Sequence, residues 1–115
     1  MAAKVQRIFL LEVQEPGDYL LQVSGVVVLY SNQRFDVYSS SANHNRFRAA
    51  VHKFPFSELA QGVLWKGAEY RLTETDVQTD LEGTDNAGTV STLLGQLYAE
   101  NPRQLFFLKK YLSVV

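Results

Sequence analysis

The residues best suited to chemistry are cations that alternate with aromatic rings between positions 30 and 56. This stretch carries three arginines and one lysine against a single aspartate, together with six aromatic side chains. Cations neutralise nucleic-acid phosphates, and rings stack on unpaired bases at roughly 1–3 kcal/mol each. The pattern predicts a surface for single-stranded nucleic acid, and the residues expected to form it are Arg34, Arg46, Arg48 and His52.

Residues 46–54 (RFRAAVHKF) are the most informative part of that stretch. Their alternation predicts a β-strand with Phe47, Ala49 and Val51 on one face and the cations on the other. Phe47 then belongs to the core and not to a stacking surface. The net charge of −1 also differs from that of most nucleic-acid binders. Nucleic-acid binding is therefore the alternative function and not the leading one.

A second candidate surface lies in residues 105–115 (LFFLKKYLSVV), which are unusually apolar. If this segment is helical, its leucines cannot share one stripe with its aromatic rings, and a small sheet covers only one of those faces. Exposed aromatic area on a helix commonly marks a protein interface, including a homodimer. The residues predicted to form this interface are Leu105, Phe106, Phe107 and Tyr111. Two alternatives stay open, a helix enclosed by core on both sides and a strand through 105–108.

The sequence offers no recognisable catalytic or cofactor site. Ser39, Ser40 and Ser41 are not set in a Gly-x-Ser-x-Gly elbow, and the two histidines, eight residues apart, lack a metal-ligand pattern. The acidic segment 74–82 does not match a calcium-binding loop, and the scattered glycines form neither a phosphate-binding loop nor a dinucleotide fingerprint. With no cysteine, thiolate chemistry is excluded. The protein is therefore expected to be a non-enzyme without metal or cofactor.

Length and composition predict one globular domain over residues 1–115. A hydrophobic fraction of 46% and a charged fraction of 20% are ordinary for folded proteins, and 115 residues suffice for one core. The longest apolar run, Val26 to Tyr30, is far shorter than the roughly 20 residues that a membrane helix needs. Residues 1–14 do not resemble a secretory signal. We therefore expect a cytoplasmic protein that does not bind membranes.

Most of the chain reads as antiparallel strands. Residues 5–13 and 19–30 flank a turn at Glu15-Pro16-Gly17-Asp18 and predict a hairpin, with a bulge or bend at Gly25. A further strand is predicted at 34–39, followed by a polar loop to Asn45. Residues 63–65 and 68–72 form either a tight hairpin or one kinked strand, and β-compatible residues continue to Leu81.

Helices are predicted mainly near the C-terminus. Ser57 could cap a short helical turn that Gly62 ends. Apolar residues recur at helical spacing from Thr89, and Asn101-Pro102 is typical of the start of a second helix to about Leu112. The predicted fold is α+β, an antiparallel meander or partly closed barrel of five to six strands with a C-terminal helical segment.

The predicted function is a non-enzymatic protein-interaction or assembly module, such as a homo-oligomer subunit or a small viral or regulatory factor. Its partner would be another protein or a second copy of the chain, which would dock on the apolar C-terminal residues. Single-stranded nucleic-acid binding across 30–56 is the alternative.

Overall fold

A computed structural model gives the structure of residues 4–75 and 87–108, and of the side chains from Thr92 onward in the second range. The described chain forms one antiparallel five-stranded sheet in the order β3-β2-β1-β5-β4, with helices on both faces. The prediction of an α+β fold with an antiparallel sheet is confirmed, and the sheet is open and not a partly closed barrel. Its elements are β1 Val5–Gln14, β2 Gln22–Tyr30, β3 Phe35–Ser39, α1 His44–Lys53, α2 Phe56–Gln61, β4 Val63–Trp65, β5 Ala68–Glu74, α3 Ala87–Glu100 and a 3₁₀ turn, Phe106–Leu108.

Antiparallel hairpins join β1 to β2, β2 to β3 and β4 to β5, and turn chemistry explains the first and the last. β1 and β2 pair across the turn that contains Pro16 and Gly17, as predicted. Between β4 and β5, Lys66 and Gly67 adopt φ values of 50° and 83°, and two positive φ angles are what the tightest hairpin turns require. The two alternatives for 63–72 are thereby resolved in favour of a hairpin.

Gly25 lies at a bulge in β2, as its position in the sequence predicted. Leu11 pairs with Gly25 but the next residue, Glu12, pairs with Val23, so β2 carries one extra residue at this point. A Cβ at Gly25 would lie 3.1 Å from the carbonyl oxygen of Tyr38 on the neighbouring strand. Glycine is therefore required here for the close approach of β3.

Both faces of the sheet are buried under helices. Phe9, Leu11 and Val13 of β1 point to α1 and α2 in a first core, while Ile8 points to the opposite face, where α3 and the 3₁₀ turn close a second core. β2 lies between the two cores and is buried from Gly25 to Tyr30. The uninterrupted apolar run 26–30 therefore reflects a central strand covered on both sides.

The strand predicted for 46–54 is wrong, because residues 44–53 form helix α1. Phe47, Ala50 and Val51 are buried and Ala49 is exposed, which is the i, i+3, i+4 spacing of a helix face. The prediction placed Ala49 in the core. Because residues 49 and 50 are both alanine, the strand period and the helix period were hard to distinguish. The polar loop before this segment is correspondingly shorter, and it ends at Asn43.

The remaining helices differ from prediction at their ends. Pro55 precedes the first residue of α2, so Ser57 lies inside this helix and does not cap it, whereas Gly62 ends the helix with φ 98° as expected. α3 begins at Ala87, two residues before the predicted cap Thr89. Residues 102–105 form turns ahead of the 3₁₀ turn, so neither a regular α-helix nor a strand occupies 102–108. The remainder of the predicted second helix, 109–112, and the strand beyond residue 75 lie outside the described residues.

No helix of the part of the chain described here is long and apolar enough to cross a membrane.

Candidate binding surfaces

Helix α1 separates the four residues predicted to contact nucleic acid. Residues two apart on a helix differ by about 200° around its axis, so Arg46 and Arg48 lie on opposite sides of α1. Arg48 and His52 are one turn apart on its exposed side. Arg34 is exposed at the turn before β3, and its backbone N–H donates to Asn32 Oδ1 at 3.0 Å. Because Arg34 lies outside α1, and Arg46 and Arg48 lie on opposite sides of it, α1 does not bring the four side chains onto one surface.

Arg46 is engaged with the first hairpin. Its two terminal nitrogens donate to the two carboxylate oxygens of Glu15, one of them at 3.3 Å, and its guanidinium lies 5.0 Å from the Phe47 ring centre. The hydrogen bond that Arg46 donates to Glu15 is the main cause of the raised pKa of Arg46, and burial opposes it with a smaller effect. Tyr70 lies close to this pair, and burial raises the pKa of its phenol. Arg46 thus ties α1 to the β1–β2 turn.

A pocket rich in aromatic rings lies where α1 turns into α2, on the first-core face. It encloses about 370 Å³, and its walls include Gln33, Phe35, His52, Lys53, Phe54 and Phe56. We call it the aromatic pocket. The His52 ring contacts the Phe35 ring at 4.5 Å between centroids, and the Lys53 ammonium lies 5.9 Å from the Phe54 ring centre. The pocket therefore joins ring faces to a cationic rim.

The chain path at the end of α1 builds this pocket. Phe54 leaves the helix in an extended conformation, and Pro55 follows with φ −66° and ψ 152°, so the backbone swings away before α2 begins. The Phe56 ring returns to contact Phe9 at 5.2 Å and Phe35 at 5.5 Å. These contacts anchor one wall in the first core while His52 and Lys53 remain exposed.

The predicted C-terminal interface divides between core and surface. Leu105 is fully buried in the second core, Phe107 packs partly against it, and Phe106 is 65% exposed. Leu105 therefore belongs to the core and cannot itself contact a partner from the surface. Tyr111 lies outside the described residues. Among the predicted interface residues that are described, Phe106 has the largest exposed fraction.

A groove beside this C-terminal segment was not foreseen from the sequence. It encloses about 490 Å³ and lies between residues 20–23 and the turn containing Arg103 and Gln104, with Glu12 in its wall. We call it the loop groove. Tyr19 and Leu20 beside it are 96% and 74% exposed. The sequence placed them in a strand, but β2 begins only at Gln22, and the earlier residues form a loop on the surface.

Ser39, one of the serines considered as a nucleophile, contacts His44, but its hydroxyl is buried. The Ser39 hydroxyl lies 3.2 Å from His44 Nδ1, and Ser39 is 0% exposed. A substrate cannot reach that hydroxyl, so the contact serves to join the end of β3 to the first residue of α1. Within residues 4–75 and 87–108, no group of three histidines or carboxylates is placed to hold a metal ion.

Comparison of the chain with protein-family models, with curated proteins and with solved structures found no match. The fold and surfaces define an open-sheet α+β protein with a concave surface on each face of the sheet. Function has to be inferred from the chemistry of those two surfaces.

Proposed function

We propose that this protein is a non-enzymatic assembly module that binds a second copy of itself through the loop groove. The observation that carries the proposal is the exposure of Tyr19 and Leu20 beside a groove whose other wall contains Gln104, two residues before exposed Phe106 in the sequence. Large apolar side chains exposed beside a concave surface are typical of protein-binding sites. In this proposal the C-terminal segment contributes Phe106 to the interface.

Charge complementarity favours a second copy as the partner. The groove contains both an acidic residue, Glu12, and a basic one, Arg103. In a two-fold interface the same surface meets itself, so Glu12 of each copy can face Arg103 of the other. The apolar side chains would then pack at the centre while two ion pairs set the orientation.

The test is the mass in solution, measured by light scattering over a range of concentrations. We expect the wild-type mass to rise from 13.0 kDa toward twice that value, and Leu20→Asp combined with Phe106→Asp to stay at 13.0 kDa. Leu64→Asp is the matched control, because Leu64 is 75% exposed but lies on edge strand β4 outside the groove. A wild type that remains at the monomer mass at the highest concentration contradicts the proposal.

A charge exchange tests the arrangement of the two copies. Arg103→Glu and Glu12→Lys should each weaken association, because both place like charges opposite one another. A mixture of the two variants should restore it, since each interface contact then pairs opposite charges. Urea unfolding of each variant checks that the fold is retained, which matters for Glu12 because its Oε1 accepts a hydrogen bond from Thr73 Oγ1 on β5 at 2.5 Å. Equal weakness of the mixture and of the separate variants would exclude this orientation.

The alternative function, single-stranded nucleic-acid binding, would use the other face of the sheet. Arg48 and His52 remain available to it on the exposed side of α1, whereas Arg46 is engaged with Glu15. Of the four predicted residues, Arg48 and His52 share one helix face, and His52 lines the aromatic pocket. Nucleic-acid binding should therefore centre on the aromatic pocket and leave the loop groove unoccupied.

A further inference from the structure

We infer that the aromatic pocket binds a planar, negatively charged ligand of nucleotide size, with its ring stacked on the exposed His52 ring and the half-buried Phe54 ring and its phosphate facing Lys53. This site lies on the first-core face and is separate from the loop groove, which borders the second core. The inference is therefore independent of the proposed self-association.

The rings of the pocket are held in place by one another. Phe56 is wedged between Phe9 and Phe35, and Phe35 in turn contacts His52 at 4.5 Å with the rings tilted by 43°. A ligand ring that enters the pocket therefore meets surfaces that are already ordered. Preorganised rings reduce the entropy lost on binding, which favours a flat ligand over a flexible aliphatic one.

The charges around the pocket favour an anion. His52 and Lys53 line it, and none of its lining residues is a carboxylate. Helix α1, which supplies both, has no acidic residue, and its exposed side also carries Arg48 one turn before His52. The Lys53 ammonium lies 5.9 Å from the Phe54 ring centre, so a ring stacked on Phe54 would bring its phosphate to the cation.

The size of the pocket limits the ligand. About 370 Å³ is near the lower end of the roughly 300–1,000 Å³ typical of small-molecule sites. We expect a pocket of this size to hold one base with its sugar and phosphate. Such a unit is available either as a free mononucleotide or as one residue of a single strand.

The experiment uses the full chain and follows backbone amide signals by NMR during titration with three probes. These are adenosine monophosphate, an oligodeoxythymidylate of about ten nucleotides and inorganic phosphate. We expect the signals of residues 33–35 and 51–56 to shift with the nucleotide probes and not with phosphate alone. Binding of the mononucleotide alone identifies a free nucleotide as the ligand. Tighter binding of the oligonucleotide, weakened by salt, identifies a single strand.

Variants at the exposed rim distinguish the pocket from general surface charge. His52→Ala combined with Lys53→Glu should weaken nucleotide binding by roughly 5- to 140-fold, the range for loss of one base-stacking contact. Lys66→Glu is the matched control, because Lys66 also lies over a ring, 4.5 Å from the Trp65 centre, but does not line the pocket. The inference is overturned if no nucleotide probe shifts these signals, if phosphate alone reproduces the shifts, or if Lys66→Glu weakens binding equally.

Discussion

Truncation of Leu97 in α3 tests whether the second face of the sheet carries a true core. Leu97 is 0% exposed and packs with Leu93, Leu94 and Leu105 against Val26 and its neighbours. Replacing it with alanine removes three carbons, each worth about 0.8 kcal/mol of transfer free energy. The cavity left behind adds to this loss, so we expect Leu97→Ala to lower the free energy of unfolding by about 3 kcal/mol.

Urea unfolding followed by circular dichroism measures this loss. With a slope of about 1.5 kcal/mol per molar urea, a loss of 3 kcal/mol moves the midpoint by about 2 M. Leu59→Ala should behave similarly, because Leu59 is equally buried in the first core. Leu64→Ala is the control, and it should change the free energy of unfolding by less than about 0.5 kcal/mol because Leu64 is 75% exposed.

A Leu97→Ala midpoint no lower than that of Leu64→Ala would refute the packing of α3 on the sheet. The same result would also remove the basis for the loop groove, because the turn carrying Arg103 and Gln104 follows α3 directly and is held by Leu105 in the same core. A loss confined to Leu59→Ala would mean that one face alone supports the fold.

Two further predictions concern polar contacts of the sheet. Tyr30→Phe removes the hydroxyl that donates to Asp36 Oδ2 at 2.9 Å, so urea unfolding should show the free energy of unfolding reduced by about 1–2 kcal/mol. Tyr19→Phe is the control and should show no loss, because Tyr19 is 96% exposed. The hydrogen bond from Arg7 lowers the pKa of Glu74. The contribution of this ion pair to the free energy of unfolding is therefore complete above the unfolded-state pKa of about 4.3, and it disappears as pH falls through the lower folded-state pKa of Glu74. Because both side chains are about half exposed, Arg7→Ala should cost at most about 0.5 kcal/mol at pH 7 and low salt, and an equal loss at pH 2 would contradict the pairing.

The strands could be predicted because their signals are local. Pro16 and Gly17 mark the first turn, so the β1–β2 hairpin follows from a few neighbouring residues, and Gly25 likewise marked its bulge. Lys66-Gly67 allowed either a hairpin or a kinked strand, and only the backbone angles of these two residues decide between them. The number of strands and the open sheet depend in addition on the pairing of β1 with β5, which are distant in sequence.

Helix α1 could not be distinguished from a strand by its pattern alone. In residues 46–54 the alternation of Phe47, Ala49 and Val51 competes with the helical spacing of Phe47, Ala50 and Val51, and alanine at both 49 and 50 fits either. The first core decides between them, because only a helix turns Ala50 toward the sheet together with Phe47. That information comes from β1, β2 and β5, which are distant in sequence.

The two binding surfaces are a further product of contacts between distant segments. The loop groove needs Leu20 and Arg103 to meet, and they are separated by most of the chain. The sequence indicated part of the aromatic pocket, because its basic and aromatic residues lie within 33–56. Its shape depends in addition on Phe9 of β1, whose ring contacts the Phe56 ring. Composition could therefore indicate which chemistry was present and could not show which side chains share a surface.

The covered centre of the sheet explains why both candidate surfaces lie at its margins. β2 is buried on both faces from Gly25 to Tyr30, so its side chains there contribute mainly to packing, although Leu29 also lines the aromatic pocket. Exposed apolar and charged side chains collect at two margins, at Tyr19 and Leu20 before β2 and at His52 and Lys53 at the end of α1. Because the sheet lies between these two places, a partner bound in the loop groove and a ligand bound in the aromatic pocket would contact opposite faces. We therefore expect the partner and the ligand to bind without steric competition.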